Sequence, residues 1–167
     1  KLEQIRWTDR PSVTVSAGDL IGASPLASSH YLDEPTILVM NSLGLDLNAV
    51  GNHEFDRGTD GLKRIQNGGC EKHTTRQPCA VDPAFPGARF RFLAANVKDH
   101  TGRTLLPGSA IRQMGGMKVG FVGMTLKETA TLVSPAGVKG VTSDDEIVTA
   151  NPAARSLKAA GADLLVL

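Results

Sequence analysis

Short apolar stretches alternate with amphipathic ones along the chain, and the alternation predicts strands and helices in turn. In residues 2–7, Leu2, Ile5 and Trp7 stand among charged and polar neighbours, the tail of an amphipathic helix. Residues 12–17 are short and β-branched and run into Gly18-Asp19, a strand entering a loop. Asp33-Glu34-Pro35 opens a helix with Asp33 as its cap; Ile37, Met40 and Leu43 share a face, and Gly44 ends it. Residues 45–50 form the next strand, stopped by Gly51. A second helix is predicted over Gly58 to Gln66, with Leu62 and Ile65 inward and Gly68-Gly69 after it. Residues 67–90 crowd Gly, Pro, Cys and Thr together without a period, which predicts a long surface loop. A strand returns over Phe90 to Val97. Gly115-Gly116 between residues 111–114 and 117–123 predicts a hairpin with a two-residue turn. Ser143 and Glu146 match a capping box, and Ile147, Ala150, Ala154 and Leu157 follow at helical spacing. Pro152 is expected to kink or restart that helix, Gly161 to close it, and residues 163–167 to form a buried strand. Strands alternating with helices imply an α/β fold with a largely parallel sheet, whose chemistry gathers at the carboxyl ends of the strands.

Composition narrows the class. At 41% hydrophobic and 21% charged, the 167 residues have the material for a core and too little charge for disorder. Lys+Arg number 18 against 17 Asp+Glu, a formal net charge of +1. That balance lacks the basic excess of a nucleic-acid-binding module, and 4% aromatics leave little to stack on bases, so no nucleic-acid partner is expected. No apolar run approaches the roughly 18–20 residues that span a bilayer. A helix tail at one end and a strand with no turn after it at the other predict that residues 1–167 are part of a longer domain.

Two strand ends carry the candidate chemistry. Gly18-Asp19 follows the first strand, and Gly51-Asn52-His53-Glu54-Phe55-Asp56 follows the second. If the strands run parallel, Asp19, Asn52 and His53 converge at one edge. Carboxylate and amide oxygens suit Mg, Mn and Ca, and imidazole suits Zn and Fe. Glycine before each polar group lets the backbone turn sharply off the strand and approach a bound group closely. A lone Gly-Asp after a strand is usually a turn or a cap, and a lone Asn-His is usually a surface pair. It is their co-occurrence, each directly after an apolar strand, that points to a site.

Together these residues resemble the calcineurin-like metallophosphoesterases, and within them the bacterial secreted 5'-nucleotidase / UDP-sugar hydrolase / 2',3'-cyclic phosphodiesterase group. Residues 18–25, 40–46, 93–97 and 119–125 extend the resemblance over nearly the whole chain. The resemblance implies an αββα sandwich holding two divalent metal ions (Zn, Mn, Mg, Fe or Ca) and hydrolysing a small nucleotide by attack of a metal-bound hydroxide. It implies that Asp19 is the carboxylate bridging both metals and Asn52 an amide ligand of the second. It implies that His53 is a non-ligand histidine beside the scissile phosphate and Asp56 the acid paired with it. Glu54 points away from these in either a strand or a helix and is expected to be structural or to support the site residues from behind. A non-catalytic binding relative, or a branch that hydrolyses thiosulfonates, is the alternative. The family's Asp-x-His strand, its later histidine motifs and its nucleotide-binding domain have no counterpart here, so residues 1–167 are expected to be a partial catalytic domain.

Of the remaining residues, Cys70 and Cys79 are the two cysteines. A disulfide between them is expected, with a three-ligand metal site including His73 as the alternative. The bridge implies an oxidising compartment and agrees with a periplasmic or secreted protein. His30 and His100 are expected at the surface, Trp7 in the core or on the helix face, and Asn96 in a turn or facing the site.

Overall fold

The computed structural model describes the backbone of residues 1–167 and the side chains of all but residues 2 and 3. The helices are α1 (Leu2–Thr8), α2 (Leu26–Ser29), α3 (Glu34–Leu43), α4 (Gly58–Asn67), α5 (Thr129–Leu132) and α6 (Glu146–Ala159). The strands are β1 (Val15–Ser16), β2 (Leu47–Ala49), β3 (Arg91–Leu93), β4 (Val97–Asp99), β5 (Ser109–Met114), β6 (Met117–Val122), β7 (Val141–Ser143) and β8 (Leu164–Val166). Among the described residues no helix is long and apolar enough to cross a membrane.

Two three-stranded sheets form the frame. The first is parallel throughout in the order β1-β2-β3, with Leu47 opposite Val15 on one side and Arg91 on the other. The second, β5-β6-β8, joins the predicted hairpin to a strand parallel to β6. Alternation along each strand separates three apolar layers. Phe92 and Val50 face α3 and α4 and bury against Ile37, Leu62 and Ile65. Leu47 and Leu93 meet Val119 and Phe121 between the sheets. Val122 meets Leu157 of α6 on the outer side of the second sheet, where Gly120 leaves room for the Leu157 side chain. The order is helices, sheet, sheet, helix: the expected αββα sandwich.

Several local expectations change. The strand predicted over residues 90–97 is two, β3 and β4, because the backbone turns at Ala94–Asn96. Asn96 sits in that turn but is fully buried rather than facing the site. Its amide donates to the carbonyls of Thr125 (2.6 Å) and Asp144 (2.9 Å) and accepts from Thr125 N–H (2.8 Å), tying the sheets together. The cap of α6 is Asp145 rather than Ser143, with its carboxylate accepting from Ile147 and Val148 N–H; Ser143 lies in β7. The helix continues through Pro152 without restarting. Of the residues at helical spacing, Ile147 is exposed and Leu157 is buried. β8 is an edge strand with Leu164 and Val166 largely exposed. Trp7 is 74% exposed, outside the core, with Arg10 stacked on its ring; Leu2 of the predicted helix tail lies outside the described side chains.

The long loop 67–90 holds no helix or strand, as expected. Cys70 and Cys79 are bridged, with Cα atoms 5.5 Å apart, which excludes the His73 metal alternative. The Cys79 N–H donates to Glu34 Oε1 (2.8 Å), and the same oxygen accepts from Arg64 (2.8 Å). This ion pair is buried at both ends, so the loop is anchored to both α3 and α4.

Candidate functional site

β1 and β2 end side by side, and the two loops that leave them touch. A Cβ on Gly18 would stand 2.8 Å from Gly51 N, so both positions must be glycine for the loops to meet. Asp19 follows with φ 53, a left-handed backbone that an aspartate adopts at a strain of roughly 1 kcal/mol and that persists only where its surroundings over-determine it. Two bonds do so. The His53 N–H donates to Asp19 Oδ1 at 3.0 Å, and the Asp19 N–H donates to Glu54 Oε2 at 2.9 Å.

A tight 3-10 turn, His53–Phe55, leaves β2, with Asn52 and Asp56 flanking it. Its geometry places His53 and Asp56 on one side, three residues apart, with Nδ1 and Oδ2 at 2.9 Å. The bond to Asp56 raises the His53 pKa above the usual imidazole value; partial desolvation opposes this, and the charges of Asp56, Asp19 and Glu54 add to the rise. Holding Nδ1 on Asp56 leaves Nε2 as the working nitrogen. Beneath the pair, a side chain on Gly22 would collide with the His53 carbonyl and with Asp56.

Glu54, expected to be structural or to support the site, takes the supporting part, and Asp33, expected to cap α3, takes a different one. Glu54 is 2% exposed and points under the site. It accepts from the N–H groups of Asp19, Leu20 (2.8 Å) and Gly51 (2.7 Å) and from Asn48 Nδ2 (3.3 Å). Burial pushes its carboxyl pKa up, and these donors offset the rise only in part. Asp33 makes no cap bond to α3. Instead its carboxylate gathers Gly22 N–H (3.1 Å), the hydroxyls of Ser24 and Ser28, and Arg57. Burial raises its pKa, but the Ser24 hydroxyl, Arg57 and Gly22 N–H outweigh it and leave the carboxyl below the ordinary range. No local signal marks either role, since every partner of Asp33 but Ser28 and every donor to Glu54 but Gly51 lies six or more residues away.

Asp19 is exposed and Asn52 half-buried. Among the described residues neither Asp19 Oδ2 nor the Asn52 side chain has a hydrogen-bond partner, so a carboxylate oxygen and an amide oxygen are free at one edge. In kind these fit hard divalent cations. In number they supply two donors, and among the described residues no group of three His, Cys, Asp or Glu is placed to hold a metal. His30 and His100 are at the surface and take no part. An open groove of about 450 Å³ leads from Asp56 and Arg57 past His73 to Ser134 and Lys139.

No protein-family model matches the chain. A protein from the pqq-V 5' region of Acinetobacter calcoaceticus is 51% identical over 70% of the chain and 58% of its own length. Endonuclease YhcR of Bacillus subtilis is 38% identical over 96% of the chain and 13% of its own length. Mouse 5'-nucleotidase is 31% identical over 95% of the chain and 25% of its own length. The chain thus spans between about an eighth and three-fifths of these relatives. Among solved structures, Haemophilus influenzae NAD nucleotidase superposes with a TM-score of 0.74 at 25% identity, covering 98% of the chain and 26% of that protein. The calcineurin-like phosphoesterase YfkN of Bacillus subtilis gives 0.73 at 26% identity, over 98% of the chain and 49% of its own. With the sandwich, the paired strand-end loops and these relatives in agreement, the chain belongs to the 5'-nucleotidase group of the calcineurin-like phosphoesterases.

Proposed function

We propose that the protein hydrolyses phosphoesters of small nucleotides, with Asp19 and Asn52 as two of its metal ligands and His53, oriented by Asp56, as the group that handles charge and protons at the phosphate. The observation that carries this is the meeting of Asp19 with the His53–Asp56 pair at adjacent parallel strand ends, through the 3.0 Å bond from His53 N–H to Asp19 and the 2.9 Å bond within the pair. The unpartnered oxygens of Asp19 and Asn52 support the ligand roles. Two divalent cations at such a centre would polarise the phosphoryl group and lower the pKa of water between them.

The chain's own residues do the rest. Asp19 presents Oδ2 while His53 N–H holds Oδ1, so its carboxylate cannot rotate away. Asp56 keeps His53 protonated at Nδ1 and favours the imidazolium, which from Nε2 can stabilise phosphoryl oxygens or protonate the leaving alkoxide. The groove beyond Asp56 has room for the remainder of a nucleotide. Two donors do not hold two cations, so the remaining ligands come from outside residues 1–167 and these residues alone are inactive. The Cys70–Cys79 bridge supports a periplasmic or secreted location. A phosphodiester substrate is the second reading, favoured by the relative named endonuclease; the near-neutral charge favours the small nucleotide.

Phosphate release from AMP, strand scission of an oligonucleotide and metal content by atomic spectroscopy test the assignment in the protein as its source expresses it. His53→Ala should lower kcat by roughly 10²–10⁴ with metal content unchanged, the span of one lost acid or charge stabiliser. Asp19→Ala should lose metal and activity together. Metal loss in His53→Ala, or robust hydrolysis by residues 1–167 alone, overturns the assignment.

A further inference from the structure

Glu54 stands inside the sequence motif of the site yet reaches none of its solvent-facing atoms. Its two oxygens receive four donors from three segments: Asp19 and Leu20 from the loop after β1, Asn48 from β2, and Gly51 from the loop after β2. At 2% exposure no water replaces them. Asp19 and Gly51 share Oε2, so one atom joins the backbones of the two loops whose side chains make the site. Asp19 is also the residue whose left-handed backbone needs outside support.

We infer that Glu54 is a positioning residue: it holds the strained Asp19 backbone and the Gly51–His53 turn in fixed separation, so that the Asp19 carboxylate and the His53 imidazole face one phosphate. This rests on the phosphoesterase centre proposed above. Only an ionised carboxylate offers acceptors to all four donors, because an amide turns one acceptor into a donor. In Glu54→Gln the carbonyl oxygen can still serve Asp19 and Gly51. Asn48 can adapt by turning its amide, since its Oδ1 is buried without a partner. Leu20 N–H cannot adapt, and it is left facing an N–H₂ group. The variant therefore keeps the core and loosens the loop that carries Asp19.

The experiment pairs amide hydrogen exchange by NMR with kinetics and manganese affinity, on wild type, Glu54→Gln and Glu54→Ala. In wild type the amides of Asp19, Leu20 and Gly51 should be protected although they lie in loops. In Glu54→Gln the Leu20 and Asp19 amides should exchange at least tenfold faster. Val50, whose N–H goes to the Leu93 carbonyl at 3.0 Å, should stay protected. With folding thus intact, kcat and manganese affinity should fall by roughly 10–100-fold, the range seen when a group that orients a ligand is removed, while KM changes by less than about threefold. Kinetics and metal affinity within twofold of wild type in Glu54→Gln, or unchanged exchange at Leu20 and Asp19, overturn the inference even if Glu54→Ala fails to fold. If wild-type protein releases phosphate from no ester tried, the phosphoesterase reading falls, and the exchange rates still decide whether Glu54 holds the loops.

Discussion

Replacing Gly51 by alanine should separate the two loops of the site by a calculable amount. A Cβ there would stand 2.7 Å from the Asp19 backbone nitrogen and closer still to its Oδ1. A backbone nitrogen cannot rotate aside, so reaching the 3.4 Å of ordinary contact requires the loops to part by about 0.7 Å, the difference of the two distances. The 3.0 Å bond from His53 N–H to Asp19 would stretch beyond hydrogen-bond range, and Glu54 Oε2 could no longer hold both Asp19 and Gly51. Overpacking of this kind destabilises by about 1–3 kcal/mol, and losing one hydrogen bond to a charged group by about 1.5–3. The two share a cause, so the expected loss is roughly 2–4 kcal/mol, or about 4–16 °C in Tm for a chain of this size. Urea unfolding followed by circular dichroism, with the m-value unchanged, measures it. Gly116→Ala is the control, since a Cβ there meets nothing within 4 Å, and it should lie within about 0.5 kcal/mol of wild type. If Gly51→Ala matches that control, the loops are not in the contact described, and the account of why glycine precedes Asn52 is refuted.

Two further outcomes follow from the same structure. Thiol counting on denatured, unreduced protein should find no free thiol at Cys70 or Cys79, and the double alanine variant should lose about 2.7 kcal/mol for a loop of about ten residues in the chain-entropy model; two free thiols would sink the disulfide assignment. Asp33 has a pKa below its ordinary value of 3.8, so the stability it contributes is fully present above about pH 4 and is lost as pH falls through the lowered value. Asp33→Asn should therefore be least stable relative to wild type near neutral pH and converge on it in strong acid; a gap that stays constant from pH 7 to strong acid would contradict the Asp33–Arg57–Ser24 cluster.

Much of the architecture was legible because its determinants are local. Asp33 to Gly44 and Gly58 to Gly68 carry helix starts and stops within their own residues, and both helices form within a residue of the predicted bounds. Glycines after apolar runs marked where β1 and β2 end. Parallel pairing then set Gly18-Asp19 against Gly51, because neighbouring parallel strands deliver their following loops to the same edge. Only the tertiary structure decided what each polar side chain binds. Asp33 reads as a cap, but its carboxylate turns inward to Arg57 and two serines. Asn96 reads as a strand end, but its amide closes bonds to residues 29 and 48 positions away and breaks the strand in two. Leu164 reads as part of a buried strand, but at the edge of its sheet it is 51% exposed. Hydropathy says which residues favour burial, and spacing says which can share a face. The partner that satisfies a buried carboxylate or amide comes from wherever the chain folds back, and that is a property of the packed molecule alone.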